Sequence, residues 1–222
     1  MRTKRMLRVA AILPLLLVAT AFAQMGGRMP GFRGIWNPTI GAGALYEMQS
    51  QQGGTSQMQI AIVGQETVNG KTGYWLEMTM DNPRAGGTMY AKYLYIVDAG
   101  NMQILRMVIQ PPGRSPIEMP VSMGSRQPPP VAADISKQGQ DLGSETITVP
   151  AGTFATEHYK TGDGADVWVS PKVSPWGLVK MTSPNSNMTL LKVVTDVKDQ
   201  ITGTPQTFDP SQMRGPGGPP QQ

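Results

Sequence analysis

Residues 56–80 read SQMQIAIVGQETVNGKTGYWLEMTM. Ser56, Met58, Ile60 and Ile62 recur at every second position, with Gln57 and Gln59 between them. That period of two marks a strand with one face toward a core. Beyond Asn69-Gly70, Tyr74, Leu76, Met78 and Met80 alternate in the same way. Asn-Gly between two alternating runs predicts a hairpin, because both residues accept positive φ.

The same pattern extends outward. Thr88 to Val97 aligns Met89, Ala91, Tyr93 and Tyr95, and Ala99-Gly100 or Gly100-Asn101 turns the chain into Met102 to Gln110. These segments predict an antiparallel meander of four to five strands. Gln110 to Pro130 then holds seven prolines in 21 residues, which opposes ladders and helices alike; only short extended pieces such as Ile117 to Met119 fit there. Val131 to Gln138 is the one plausible helix, about two turns long and opened by prolines. Strands resume at Glu145 to Val149, turn at Pro150-Ala151-Gly152, and continue through Thr153 to Lys160, Asp166 to Ser170, Leu178 to Thr182 and Met188 to Val197. The expected fold is all-β: an antiparallel meander of about nine to ten strands with at most one short helix. Short strands with Gly/Pro turns are compatible with a sandwich, a barrel or a curved open sheet. No repeat of fixed period appears, which disfavours a propeller.

The ends of the chain are different in kind. Arg2, Lys4, Arg5 and Arg8 precede an apolar run from Val9 to Ala21, and Ala21-Phe22-Ala23 has the small-x-small form of a cleavage site. Residues 1–23 therefore read as a secretory signal peptide, too short in its apolar run to span a membrane. Four of the 19 basic residues lie there, leaving 15 against 15 acidic residues in the rest of the chain. The formal charge of +4 thus belongs to the signal, and no basic cluster remains to displace counterions from nucleic acid. The absence of cysteine removes disulfides, thiolate chemistry, Cys-ligated metals and lipid attachment to a Cys. Residues 24–43 read as a flexible Gly/Pro/Met leader that docks near Trp36. Residues 44–205 read as a single β-domain with a Pro-rich loop at 110–130, and residues 206–222 as a disordered Gly/Pro tail.

ETITVPAGTFATEHYK (145–160) and DVWVSPKVSPWGLVKM (166–181) resemble a group of exported bacterial β-domains of unknown function, and IAIVGQETVNGKTGYWLEM (60–78) is compatible with their early hairpins. Those domains are similar to the LolA/LolB-like periplasmic lipoprotein carriers. The resemblance covers about two-thirds of the chain beyond the signal and implies a half-barrel, a curved antiparallel sheet with an apolar concave face. The carriers lay helices across that face, whereas this chain offers almost none. The resemblance brings no catalytic residue with it.

The chemistry-bearing residues are sparse. His158 is the only histidine, and its neighbour Glu157 points to the opposite strand face, so neither a triad nor a His-based zinc site is available. Asp163 and Asp166 flank a turn without the ligand spacing of a calcium loop. Asn187-Met188-Thr189 fits a glycosylation sequon but is expected bare in a bacterial export product. Glu77, Asp81, Glu118 and Glu157 are the carboxylates that a hydrolase would have to bring together. Fourteen of the 16 methionines lie beyond the signal. Met78 and Met80 share a strand face with Met89 across the hairpin, while Met119 and Met123 sit in the Pro-rich loop. Thioethers suit Cu(I), but adaptable packing is the commoner use of Met, and no His or Cys supports a copper site.

No cofactor or metal is expected from this inventory. The expected function is an exported, non-enzymatic β-domain, periplasmic or secreted, that binds an apolar or lipid-like envelope ligand. Met78, Met80, Met89, Tyr93 and Tyr95 would form the ligand face. The alternative is a structural or protein-interaction module of the cell envelope. Neither nucleic acid nor an integral membrane span enters the reading.

Overall fold

The computed structural model describes residues 34–51, 54–82, 86–121 and 131–208. The expected signal, the first half of the expected leader (24–33), Met123 and the tail from residue 209 lie outside them. The strands are β1 (Gly43–Ser50), β2 (Gly54–Val68), β3 (Lys71–Asn82), β4 (Gly87–Asp98), β5 (Asn101–Gln110), β6 (Ile117–Met119), β7 (Val131–Ala132), β8 (Gln140–Val149), β9 (Gly152–Lys160), β10 (Asp166–Val169), β11 (Leu178–Thr182), β12 (Ser186–Val194) and β13 (Gln206–Thr207). They form one open sheet. Twelve follow the order β13-β6-β5-β4-β3-β2-β1-β12-β11-β10-β9-β8, and β7 pairs with β5 as the thirteenth.

Nine to ten strands is therefore an undercount. The largest omission is β1, which pairs with β2 on one side and with β12 on the other. It joins two antiparallel meanders, β1–β6 and β8–β12, into a single sheet. The expected helix at Val131 to Gln138 does not form. Its first residues pair with β5 as β7, and only Ile135–Lys137 closes a single 3-10 turn, capped by the Asp134 carboxylate accepting from the Ser136 N–H. The reason is tertiary. The Ala133 carbonyl accepts from Trp36 and the Ala133 N–H donates to Gly100, so the backbone of this segment is already bonded elsewhere, and a two-turn helix has too little of its own stability to compete.

The hairpins between β2 and β3 and between β4 and β5 follow from local chemistry. Asn69 and Gly70 have φ of 51° and 76°, and Ala99 and Gly100 have 49° and 79°. Positive φ at both central residues matches the twist of the flanking strands.

One face of the sheet is apolar from strand to strand. Ala44, Ile60, Met78, Ala91 and Ile109 stand opposite one another on five neighbouring strands, and Ile62, Leu76, Tyr93 and Met107 form the adjacent row. All nine are buried. The sheet buries them by curling onto itself. Tyr46 on β1 reaches past β12 to donate its hydroxyl to the Leu178 carbonyl on β11 at 2.9 Å. Trp176, in the loop between β10 and β11, lies 6.1 Å from the ring of Tyr95 on β4. In a flat sheet β4 and β11 would be five steps, about 24 Å, apart.

Residues from Gly34 onward, the end of the expected leader, close this gap. The Ile35 N–H donates to the Trp176 carbonyl and the Asn37 N–H to that of Pro175. The Trp36 ring contacts Tyr74, Tyr95 and Trp176. Gly34 permits this approach, since a Cβ there would stand 2.0 Å from the Trp176 carbonyl oxygen. Gly34→Ala should therefore destabilise the protein by about 1–3 kcal/mol through overpacking. Gly203→Ala, where the nearest atom lies at 3.5 Å, should stay within about 0.5 kcal/mol of wild type. Urea denaturation of both variants checks the contrast.

Candidate functional site

Four of the five residues expected to form a ligand face are buried: Met78, Met89, Tyr93 and Tyr95 are at most 8% exposed, and Met80 is half-buried. They do share the inner face of β3 and β4. What covers Tyr95 is the protein's own chain, since its ring packs against Trp36, Trp176 and Tyr93. Burial pushes the Tyr93 phenol up to about 12 and the Tyr46 and Tyr95 phenols higher still, so these hydroxyls stay neutral and can serve as donors. Beside the aromatic cluster an open groove of about 600 Å³ is lined by Trp36, Pro38, Tyr74 and Val97, with Lys71 and Asp134 among its polar residues.

The opposite, outer face carries the charged groups. Ala61, Glu77, Lys92, Val108 and Glu118 form one row across β2 to β6. The chain after β12 runs over that row as a strap. The Val197 N–H donates to the Gly41 carbonyl, and those of Gln200 and Ile201 donate to the Glu77 carboxylate. Lys92 Nζ meets Asp199 at 2.5 Å and the Ile201 carbonyl at 3.3 Å. The strap ends in β13, parallel to β6. Glu77 is 2% exposed. Burial, followed by the neighbouring Asp199, raises its carboxyl to about 7 against the partial opposition of the two backbone N–H groups.

The remaining carboxylates do not converge. Glu118 accepts two hydrogen bonds from Arg106, at 2.7 and 3.0 Å, which hold its pKa below the usual range. Asp81 accepts from Thr88, and Glu157 accepts from Ser144. Two cations, Lys92 Nζ and Arg106 Cζ, each lie 5.1 Å from the Trp75 ring.

His158 sits in a network that its sequence neighbours did not announce. It is directly opposite Trp168 in the register of β9 and β10, and the rings stack at 4.3 Å. Its Nδ1 lies 3.1 Å from Glu145 on β8 and its Nε2 3.0 Å from Asp166 on β10. Lys180 on β11 stands over Trp168 at 5.0 Å. The network fastens β8 to β11 but holds no nucleophile. Asp163 accepts from Thr161, so Asp163 and Asp166 face different partners. Among the described residues no group of three or more His, Asp or Glu side chains is placed to hold a metal ion.

The two edges of the sheet differ. At one end β13, β6 and β7 are two or three residues long and blunt the edge. At the other end β8 runs for ten residues, eight of them exposed, and pairs only with β9. A bulge between Asp141 and Gly143 leaves Leu142 45% exposed.

No protein-family model matches the chain, and no curated protein matches it. Among solved structures it is similar to a candidate lipoprotein from Parabacteroides distasonis, at 14% identity, over 73% of this chain and 99% of that one, with a TM-score of 0.35. It is similar to MucB in complex with MucA(peri), at 8% identity and a TM-score of 0.42, over 76% of this chain and 55% of that one. A third is a candidate exported protein with a YmcC-like fold from Bacteroides fragilis, at 11% identity, over 73% and 99%, with a TM-score of 0.35. Among the described residues no helix is long and apolar enough to cross a membrane.

The Glu77 environment has a consequence for stability. With a folded pKa of about 7 against an ordinary 4.5, the folded protein holds this proton more tightly than the unfolded chain does. The resulting stabilisation is complete below about pH 4.5 and fades as pH rises through 7. Between pH 5 and 8 the wild type should lose on the order of 2–3 kcal/mol relative to Glu77→Gln. Chemical denaturation of both proteins at the two pH values measures it.

Proposed function

We propose that this protein is an exported, non-enzymatic module of the cell envelope that engages a partner protein along β8, the partner adding an extended segment to the sheet. The observation that carries this reading is the contrast between the edges. One is blunted by three very short strands, whereas β8 offers ten residues of largely exposed edge. Strand addition draws affinity from main-chain hydrogen bonds and specificity from alternate side chains. Export rests on the Arg/Lys cluster, apolar run and small-x-small site of residues 1–23. The LolA/LolB-like resemblance agrees with a curved sheet, but the inner face that would serve a carrier is here packed with the protein's own Tyr95, Trp36 and Trp176.

Photo-crosslinking in the native cell tests the proposal. A photoreactive residue at Ser144, Thr146 or Thr148 should capture one protein through contiguous residues of an extended segment, with the captured positions advancing by two as the probe does. The same probe at Thr67, on the hairpin end of β2, should capture nothing. Absence of adducts from β8, or equal capture from Thr67, would refute it.

The groove beside Trp36 favours a second reading, an apolar or lipid-like ligand lying on Trp36, Tyr74 and Val97. Lipid extraction of protein from the native envelope should then yield a bound species, and Val97→Asp should weaken binding of a fluorescent fatty acid at least tenfold. A clean extract with no probe binding discards that reading.

A further inference from the structure

We propose that Met58, Met80 and Met89 form a thioether site for a soft monovalent cation, Cu(I) in the cell. The basis is register. Met58 on β2 stands directly opposite Met80 on β3, and Met80 directly opposite Met89 on β4. Directly paired residues project from the same face with Cβ atoms about 4.5–5.5 Å apart. Three thioethers therefore line up on three neighbouring strands, on the inner face, beside the hairpin end where β3 passes to β4.

Their burial suits a site with one point of access. Met58 is fully buried and Met89 is 8% exposed, while Met80, the middle ligand, is half-buried. A methionine side chain turns about three bonds, so the two outer sulfurs can swing toward the central one and complete a three-coordinate sulfur set. The row itself passes from Met58 to Tyr46 on β1, and a second set of methionines lies one inner-face position nearer the strand ends, where Met48 is the partner of Ser56. Met48 on β1 is opposite Met188 on β12, and Met188 is opposite Met181 on β11. Six adjacent strands, β4-β3-β2-β1-β12-β11, thus each place a methionine near the same end of the inner face.

Packing alone accounts poorly for this concentration. The two neighbouring inner rows each hold a single methionine, Met78 and Met107, among residues such as Ile60, Ile62, Leu76 and Ala91, which lose less side-chain entropy than Met on burial. Thioethers are neutral, soft donors that select Cu(I) over the harder divalent ions. They lose no proton on binding, so affinity should be nearly independent of pH between 5 and 8. The site shares no residue with the β8 edge and stands or falls separately from it.

The test uses the whole exported chain. Ag(I), a redox-inert stand-in, and Cu(I) held reduced under argon against a competing Cu(I) chelator are titrated and followed by native mass spectrometry and by methionine methyl shifts in carbon–proton spectra. One equivalent should move the methyl signals of Met58, Met80 and Met89 together. Met80→Leu and Met89→Leu, which conserve volume, should each weaken binding at least tenfold with melting temperature little changed, and Met107→Leu should leave binding intact. Three results would overturn the proposal: no bound ion, methyl shifts confined to other methionines, or undiminished binding by the Met80→Leu/Met89→Leu double variant.

Discussion

A single sheet with one apolar face has no second layer to cover it, and this protein covers that face with itself. The constraint explains the position of β1, which pairs with β2 and β12 and so makes one continuous surface of two meanders. It explains why Tyr46 bonds across an intervening strand to Leu178. It also explains why the first described residues are not a free leader. Trp36 fills the space between Tyr95 and Trp176, and Gly34 lets the backbone come close enough to do so.

The outer face obeys a different rule. Its charges are satisfied in short-range sets: Arg106 with Glu118, Lys92 with Asp199, and His158 with Glu145 and Asp166. Glu77 is the exception, because the strap over it removes water while supplying backbone donors. The same strap delivers β13 to β6 and so helps to blunt one edge of the sheet. Among the described residues β12 comes near β8, but no strand pairs with its outer edge.

Strands with strong local signals were legible in the sequence. The Asn69-Gly70 turn and the alternation on either side of it lie where β2 and β3 meet, and β11 has the expected bounds, Leu178–Thr182. β1 also alternates, through Ala44, Tyr46 and Met48, but it follows a Gly/Pro-rich stretch and its pairing with β12 spans most of the chain. β6 lies where a short extended piece is expected, at Ile117–Met119, whereas β7 and β13, two residues each, are too short to carry a periodic signal and exist only through tertiary partners. The helix expected at Val131 yielded to such partners. The candidate sites divide in the same way. Met80 and Met89 could be placed across one hairpin, whereas adding Met58 and the methionines of β1, β11 and β12 required the register. Alternation puts Glu77 on the solvent side, and only the strap, more than a hundred residues later, buries it. His158 stands beside Glu157 in sequence, but its partners Glu145 and Asp166 arrive from neighbouring strands.

The closure of the sheet on its own apolar face is most directly measured by proton–proton Overhauser effects between aromatic rings distant in sheet order. The folded protein should show cross-peaks from Trp176 ring protons to both Tyr95 and Trp36, together with a contact from the Trp176 indole N–H to Met102, whose sulfur lies 3.5 Å from that nitrogen. Cross-peaks within each meander but none between Trp176 and Tyr95 would mean that the sheet stands open, and would contradict a fold that covers its own apolar face.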